Sequence, residues 1–178
     1  MKVIHNNIKG TLNIRKAIKS DASSLIEYLN IIGGDSDFLT FGLDEFEKSI
    51  EEEEKFIEST FESKNDLFII AEINSKIVGN LNFSGGLRKR TAHTGEFGIS
   101  VLKEYWGKGI GEELIGYLIN WSNTTKIIRK INLRVRTDNI RAINLYKKLG
   151  FLEEGVVKRE FFINGKFYDC LLMGLLIN

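Results

Sequence analysis

The chain has no proline, one cysteine and two histidines in 178 residues. Each scarcity removes a class of answers. Without proline, turns fall to glycine, asparagine, aspartate and serine, so the 17 glycines become the main punctuation. The lone cysteine, Cys170, excludes an internal disulfide framework and fits a reducing compartment. His5 and His93 lie far apart, so no zinc-ligand spacing exists and no metal is expected. No apolar run approaches the roughly 20 residues of a membrane span. The start, MKVIHNNIKG, lacks the apolar core of a secretion signal. A formal net charge of +1 supplies no field toward nucleic acid or an anionic membrane, and neither partner is expected. A hydrophobic content of 43% and a charged content of 28% are those of an ordinary globular domain. The expectation is one cytoplasmic domain covering residues 1–178.

The informative stretch runs from Thr94 to Leu118. Phe97, Ile99 and Val101 alternate with Glu96, Gly98 and Ser100, the period of a half-buried strand. Gly107, Gly109 and Gly111 follow at every second position. Leu114, Ile115, Leu118 and Ile119 then repeat at helical spacing. Strand, glycine loop and helix together can hold a phosphate. Glycine lets the backbone approach a ligand, and the first helical N–H groups are unpaired and partly positive. The run is not the G-x-x-x-x-G-K-[ST] of a nucleotide triphosphate loop, nor the G-x-G-x-x-G of a dinucleotide fold.

Around this centre, Leu12–Ala17 reads as a strand and Ser20–Leu29 opens a helix. A second helix is expected from about Asp44 to Phe61, with Leu43, Phe46, Ile50, Ile57 and Phe61 as its stripe. Its run Glu51–Glu54 is either a solvated face or an attractive surface for a cationic substrate. Residues 67–73 and 77–83 form a hairpin, and the basic run Arg88–Arg90 an exposed loop. Residues 130–135 read as a strand. Thr137–Asn139 cap a helix carrying Ala142, Leu145, Tyr146 and Leu149, which Gly150 ends. Asn164-Gly165 turns a final hairpin between 155–163 and 166–176. The order β-α-α-β-β-β-α-β-α-β-β gives a mixed α/β sheet.

Trp106-Gly107-Lys108-Gly109-Ile110-Gly111 resembles the [QR]-x-x-G-x-[GA] loop of the GNAT superfamily of acetyl-CoA-dependent N-acetyltransferases, with Trp106 where glutamine or arginine usually stands. Asn139-x-x-Ala142-x-x-x-Tyr146-x-x-x-Gly150-Phe151 is similar to a second family motif and agrees at every position. The family's fold, a GNAT-like acyl-CoA N-acyltransferase domain, is therefore expected. The hairpin Arg159–Phe167 is similar to that of spermidine and ribosomal-protein N-terminal acetyltransferases, which locates a branch and not a substrate.

The resemblance implies acetyl-CoA as cosubstrate, transferred to a primary amine by direct attack in a ternary complex. The acceptor class stays wide: polyamine, amino acid, small amine or peptide N-terminus. Backbone at Val101 and Leu102 would pair with the pantetheine amide. N–H groups of Gly107, Lys108, Gly109, Ile110 and Gly111 would meet the diphosphate. Asn139 and Ala142 would line the pantetheine arm. Tyr146 is the candidate general acid for the departing thiolate, against a core tyrosine filling space. Glu96 is the candidate base, often acting through a water in relatives, against an ion pair with a neighbouring strand; both readings stay open. Lys108 adds charge near a phosphate or is a solvated loop lysine. Ser100 is a candidate for a water chain, and Trp106 either caps the cofactor or packs under the loop, with packing preferred. Cys170 is not expected to carry an acyl group, because no histidine is placed beside it. A homodimer is left open. The rival readings are a non-catalytic acyl-CoA-binding module, which would bind without turnover, and a structural α/β domain with no affinity for the cofactor.

Overall fold

Strands β1 (Lys2–Val3) and β2 (Leu12–Lys16) precede helices α1 (Ala22–Asp35) and α2 (Ile50–Glu62). Strands β3 (Leu67–Ile73), β4 (Lys76–Gly85) and β5 (Thr94–Val101) lead into α3 (Ile110–Thr125). Then come β6 (Lys130–Arg136), α4 (Ile140–Lys148), β7 (Leu152–Ile163) and β8 (Lys166–Leu176). The computed structural model describes residues 2, 3, 10–43 and 45–178; His5 and Asp44 lie outside the described residues. All strands join one sheet in the order β1-β2-β3-β4-β5-β6-β8-β7. Every neighbouring pair is antiparallel except β5 and β6, which run parallel. The expected mixed sheet is thus found, with the two-residue β1 added at one edge.

Helices cover both faces. A Cβ at Gly79 of β4 would meet Leu114 of α3. Its neighbour Asn80 points the other way, toward the Ser100 hydroxyl that Tyr28 of α1 also reaches. Alternation along a strand puts these two helices on opposite faces. Cover on both sides explains why β3, LFIIAEI, is an almost unbroken apolar run. Phe83 and Phe151 are among the largest fully buried side chains.

The second helix starts later than its apolar stripe suggests. Ser49 Oγ accepts the Glu52 N–H at 3.2 Å, and the Glu52 carboxylate accepts the Ser49 N–H at 2.8 Å. This reciprocal cap sets the start at Ile50. Leu43 and Phe46 therefore belong to a loop, where Phe46 packs on Phe41 with ring centroids 5.5 Å apart. The run of four glutamates divides: Glu53 is buried, while Glu51 and Glu52 are exposed and Glu54 pairs with Lys19.

Candidate active site

The site begins where two parallel strands part. β5 and β6 are in register only at Thr94–Lys130, Gly95–Ile131 and Glu96–Asn132. There the Asn132 Nδ2 group donates to the Gly95 carbonyl at 3.0 Å and to the Thr94 hydroxyl at 2.8 Å. These bonds brace the last shared register, and beyond Glu96–Asn132 the strands diverge. The remaining residues of β5 face the gap on one edge. The Leu102 N–H bonds the Val78 carbonyl at 2.9 Å, which makes that pair hydrogen-bonded across to β4. By alternation, the N–H and C=O groups of Phe97, Ile99 and Val101 point away from β4, into the gap. A ligand amide can pair there as an added strand would. Both backbone groups of Leu102 are engaged, its N–H with the Val78 carbonyl and its carbonyl with the Tyr105 N–H, and its side chain is buried. Ile99 and Val101 hold the open edge instead, and the Val101 carbonyl already accepts the Trp106 indole N–H.

The glycine loop completes one wall. Gly107 and Gly109 have φ of +78° and +83°, a region that side chains resist, and Gly109 is the N-cap residue of α3. Gly111 serves packing: a Cβ there would lie 3.4 Å from Leu145 of α4. The first-turn N–H groups of α3 open into the cleft, where Gly107, Gly109, Ile110, Gly111 and Glu112 all lie. Glu112 would repel an anion, but both its oxygens bind Lys148 Nζ at 2.8 Å. Lys108 is not part of the lining; its ammonium sits 4.8 Å from the Tyr105 ring centroid.

A different cation occupies the loop. Arg141 of α4 lies over the Trp106 ring at 5.3 Å, beside Gly107, and forms no ion pair among the described residues. Trp106 stands where the family motif has glutamine or arginine, and Arg141 places a guanidinium beside that position. Only the tertiary fold brings Arg141 and Trp106 together.

Helix α4 forms the opposite wall. The Asn139 side-chain oxygen accepts the Ala142 N–H at 3.2 Å, a helix cap that leaves its NH2 group for a ligand. Ala142 and Tyr146 line the cleft one turn apart. Tyr146 is nearly buried, with Phe97 and Phe151 rings each at 6.0 Å in edge-on contact. Its hydroxyl has no hydrogen-bond partner among the described residues. Burial pushes the phenol above its ordinary value, so it stays a neutral O–H donor. Cys170 is buried in β8 and lines no part of the cleft.

The cleft encloses about 1120 Å³ and continues past Tyr146 between β4, β5 and the loop joining α1 to α2. Its floor there is polar: Asn80 faces Ser100, Asn82 faces Gly98 and Ser84 faces Glu96. Ser100 Oγ lies 2.8 Å from Tyr28 Oη and donates to Asn80 Oδ1 at 2.7 Å. Its walls are aromatic, with Phe38, Phe41, Phe46, Phe56 and Phe68. Glu96 lies near the open end and is half exposed. Its carboxylate accepts Arg134 Nε at 3.2 Å, while Arg134 NH1 reaches Glu160 at 2.8 Å. The ion-pair arrangement is therefore present, with two carboxylates on one guanidinium. Arg136 ties the aromatic loop down. It donates to the Asp37 carbonyl at 2.7 Å, forks onto Asp138 at 3.0 and 2.6 Å, and stacks on Tyr168 at 3.7 Å.

This geometry has relatives. Residues 36–151 match the model of the acetyltransferase (GNAT) family. A crystal structure of a GNAT-family acetyltransferase from Streptococcus pneumoniae is 37% identical, with a TM-score of 0.91 over 94% of this chain and 99% of that one. The spermidine N(1)-acetyltransferase of Vibrio cholerae is 27% identical over 153 residues, 85% of this chain and 87% of its own length. At 20% identity, the phosphinothricin acetyltransferase of Sinorhizobium meliloti, solved with acetyl-CoA, shares the fold at a TM-score of 0.81 over 94% of this chain and 89% of its own. With the parted strands, the glycine loop and the family match over the same residues, the chain belongs to the GNAT family of acetyltransferases.

Proposed function

We propose that the protein transfers the acetyl group of acetyl-CoA to a primary amine, by direct attack in a ternary complex, in the cytoplasm. The carrying observation is the open edge at Ile99 and Val101. It lies between the anion-holding start of α3 and an unpartnered Tyr146 hydroxyl in the same cleft. The residues fit the cofactor. Val101 and Ile99 offer backbone partners to the pantetheine arm. The Asn139 NH2 group and Ala142 face it from α4. The loop from Gly107 to Gly111, with Arg141, holds the phosphates.

The amine arrives from the aromatic half. A primary ammonium has a reference pKa near 10.4, far above that of a carboxylate, so a carboxylate alone is a weak base for it. Desolvation against the phenyl walls lowers that value and favours the free amine. Glu96 receives the proton through water. With Glu160 it leaves one negative charge in excess of Arg134 at the mouth, which draws cations inward. The nitrogen lone pair forms the C–N bond, the C–S bond breaks, and Tyr146 hydrogen-bonds the departing thiolate and supplies its proton.

The test is incubation with acetyl-CoA and a panel of polyamines, amino acids, aminoglycosides and peptide N-termini, read by mass spectrometry. Acetylated product with stoichiometric CoA release is expected. Tight acetyl-CoA binding with no product on any amine would overturn the enzymatic reading.

A further inference from the structure

Lys48, in the loop before α2, has its ammonium at an unusual address. It lies 3.1 Å from a carboxylate oxygen of Glu53, whose side chain is 1% exposed. It also lies 4.3 Å from the Phe56 ring centroid and 5.6 Å from that of Phe46. All four residues line the acceptor half of the cleft. A buried carboxylate beneath two aromatic faces is a receptor for an alkylammonium ion: the carboxylate supplies charge, and the ring faces supply a negative quadrupole. The chain fills this receptor with a side chain of its own. Lys48 is itself a primary amine on a four-carbon stem, and its side chain is 41% exposed, so it can leave toward solvent.

Glu53 needs a cation whatever happens to Lys48. A carboxylate removed from water is costly unless paired. An arriving ammonium that replaces Lys48 keeps the pair intact, so the exchange conserves charge within the site. Glu53 is also set apart from its neighbours. Glu52 is spent on the helix cap, Glu54 on Lys19, and Glu51 faces solvent; Glu53 alone of the run lines the cleft.

Resting on the proposed amine acetylation, we propose that Glu53, Phe46 and Phe56 form a subsite for a second ammonium group of the acceptor, which Lys48 occupies until displaced. The acceptor class is then an aliphatic amine with two or more cationic nitrogens. One is held at Glu53 while another, deprotonated, reaches the thioester. Lys48 acts as a built-in competitor that excludes amines unable to displace it.

The experiment compares 1,4-diaminobutane with 1-aminobutane, which differ only in the second ammonium. Calorimetric titration of the diamine into the protein, without acetyl-CoA, reads the subsite separately from turnover. Lys48→Met should tighten diamine binding severalfold and lower the diamine KM by a similar factor, while the KM for 1-aminobutane, whose one nitrogen must reach the thioester, stays unchanged. Glu53→Gln, nearly isosteric, should weaken the diamine at least tenfold with acetyl-CoA affinity intact. In steady-state assays the diamine preference should fall mainly through KM in Glu53→Gln. Diamine affinity and diamine KM in Lys48→Met equal to those of wild type, or a diamine preference in turnover that survives Glu53→Gln, would overturn the proposal. Were Glu53→Gln to fail to fold, the Lys48→Met titration decides alone. Diamine binding without acetyl transfer would leave the subsite standing and remove the proposed activity.

Discussion

Tyr146→Phe separates chemistry from packing. The phenol ring is held by Phe97 and Phe151, and phenylalanine keeps both contacts. Its hydroxyl has no protein partner, so removing it breaks no internal hydrogen bond. Folding stability should stay within about 1 kcal/mol of wild type, since the hydroxyl opens to the cleft and makes no internal hydrogen bond. For a chain of this size that is a melting point within about 2–4 °C of wild type. Catalysis should suffer. A hydrogen bond to a charged group contributes about 1.5–3 kcal/mol, and each 1.36 kcal/mol is tenfold in rate, so kcat should drop roughly 10- to 150-fold. Because burial raises the phenol above its ordinary value, it stays protonated at neutral and mildly alkaline pH, and wild-type activity should show no loss from its ionisation there. The assay is CoA release followed with a thiol reagent, beside acetyl-CoA titration and thermal melting. A kcat within about twofold of wild type would remove Tyr146 from the mechanism. A large fall in melting point with a proportionate loss of activity would make it a packing residue.

Other perturbations address separate parts of the site. Arg141→Ala should weaken acetyl-CoA about tenfold, as expected for one charge-assisted bond to phosphate, and the gap should shrink at high salt; Arg141→Lys should recover only part, because the ammonium does not stack on Trp106 as the guanidinium does. Asn139→Asp should keep the helix cap yet lose the NH2 donor, weakening the cofactor at unchanged melting point. Asn139→Ala should lose both, with about 1 kcal/mol of stability. Gly109→Ala should destabilise by about 1–2 kcal/mol, the cost of a side chain at its left-handed φ, and blunt cofactor binding. The Arg136 guanidinium holds the Asp138 carboxyl below its ordinary range. A depressed value stabilises the fold above the ordinary carboxylate pKa, and that contribution is lost as pH falls through the depressed value. The melting-point gap between wild type and Asp138→Asn should therefore be full at pH 6–8 and close below about pH 4.

Much was legible from sequence because it is local. Glycines at 107 and 109 adopt positive φ, Asn164-Gly165 makes its turn, Gly150 ends its helix, and Ala142 and Tyr146 share a face. Such features depend on residues within one turn or one strand, and short-range steric rules and periodicity encode them directly. The family motifs read the same way, since each is a single loop or helix. The start of α2 departs from its apolar stripe for a local reason as well: the stripe crosses a boundary that a serine–glutamate cap sets.

Tertiary structure decided the rest, through side chains that meet across long stretches of chain. Asn132 reaches back to Gly95 at the last shared register of β5 and β6, beyond which the strands part and Ile99 and Val101 present an open edge. Arg141 lands on the Trp106 ring from another helix. Arg136 fastens the Asp37 carbonyl from 99 residues away, and one glutamate among four turns inward beneath Lys48. Periodicity fixes which face of an element is apolar, but not which neighbour that face will meet. Sheet register and helix placement settle that, and with it the ligand each polar group is free to receive.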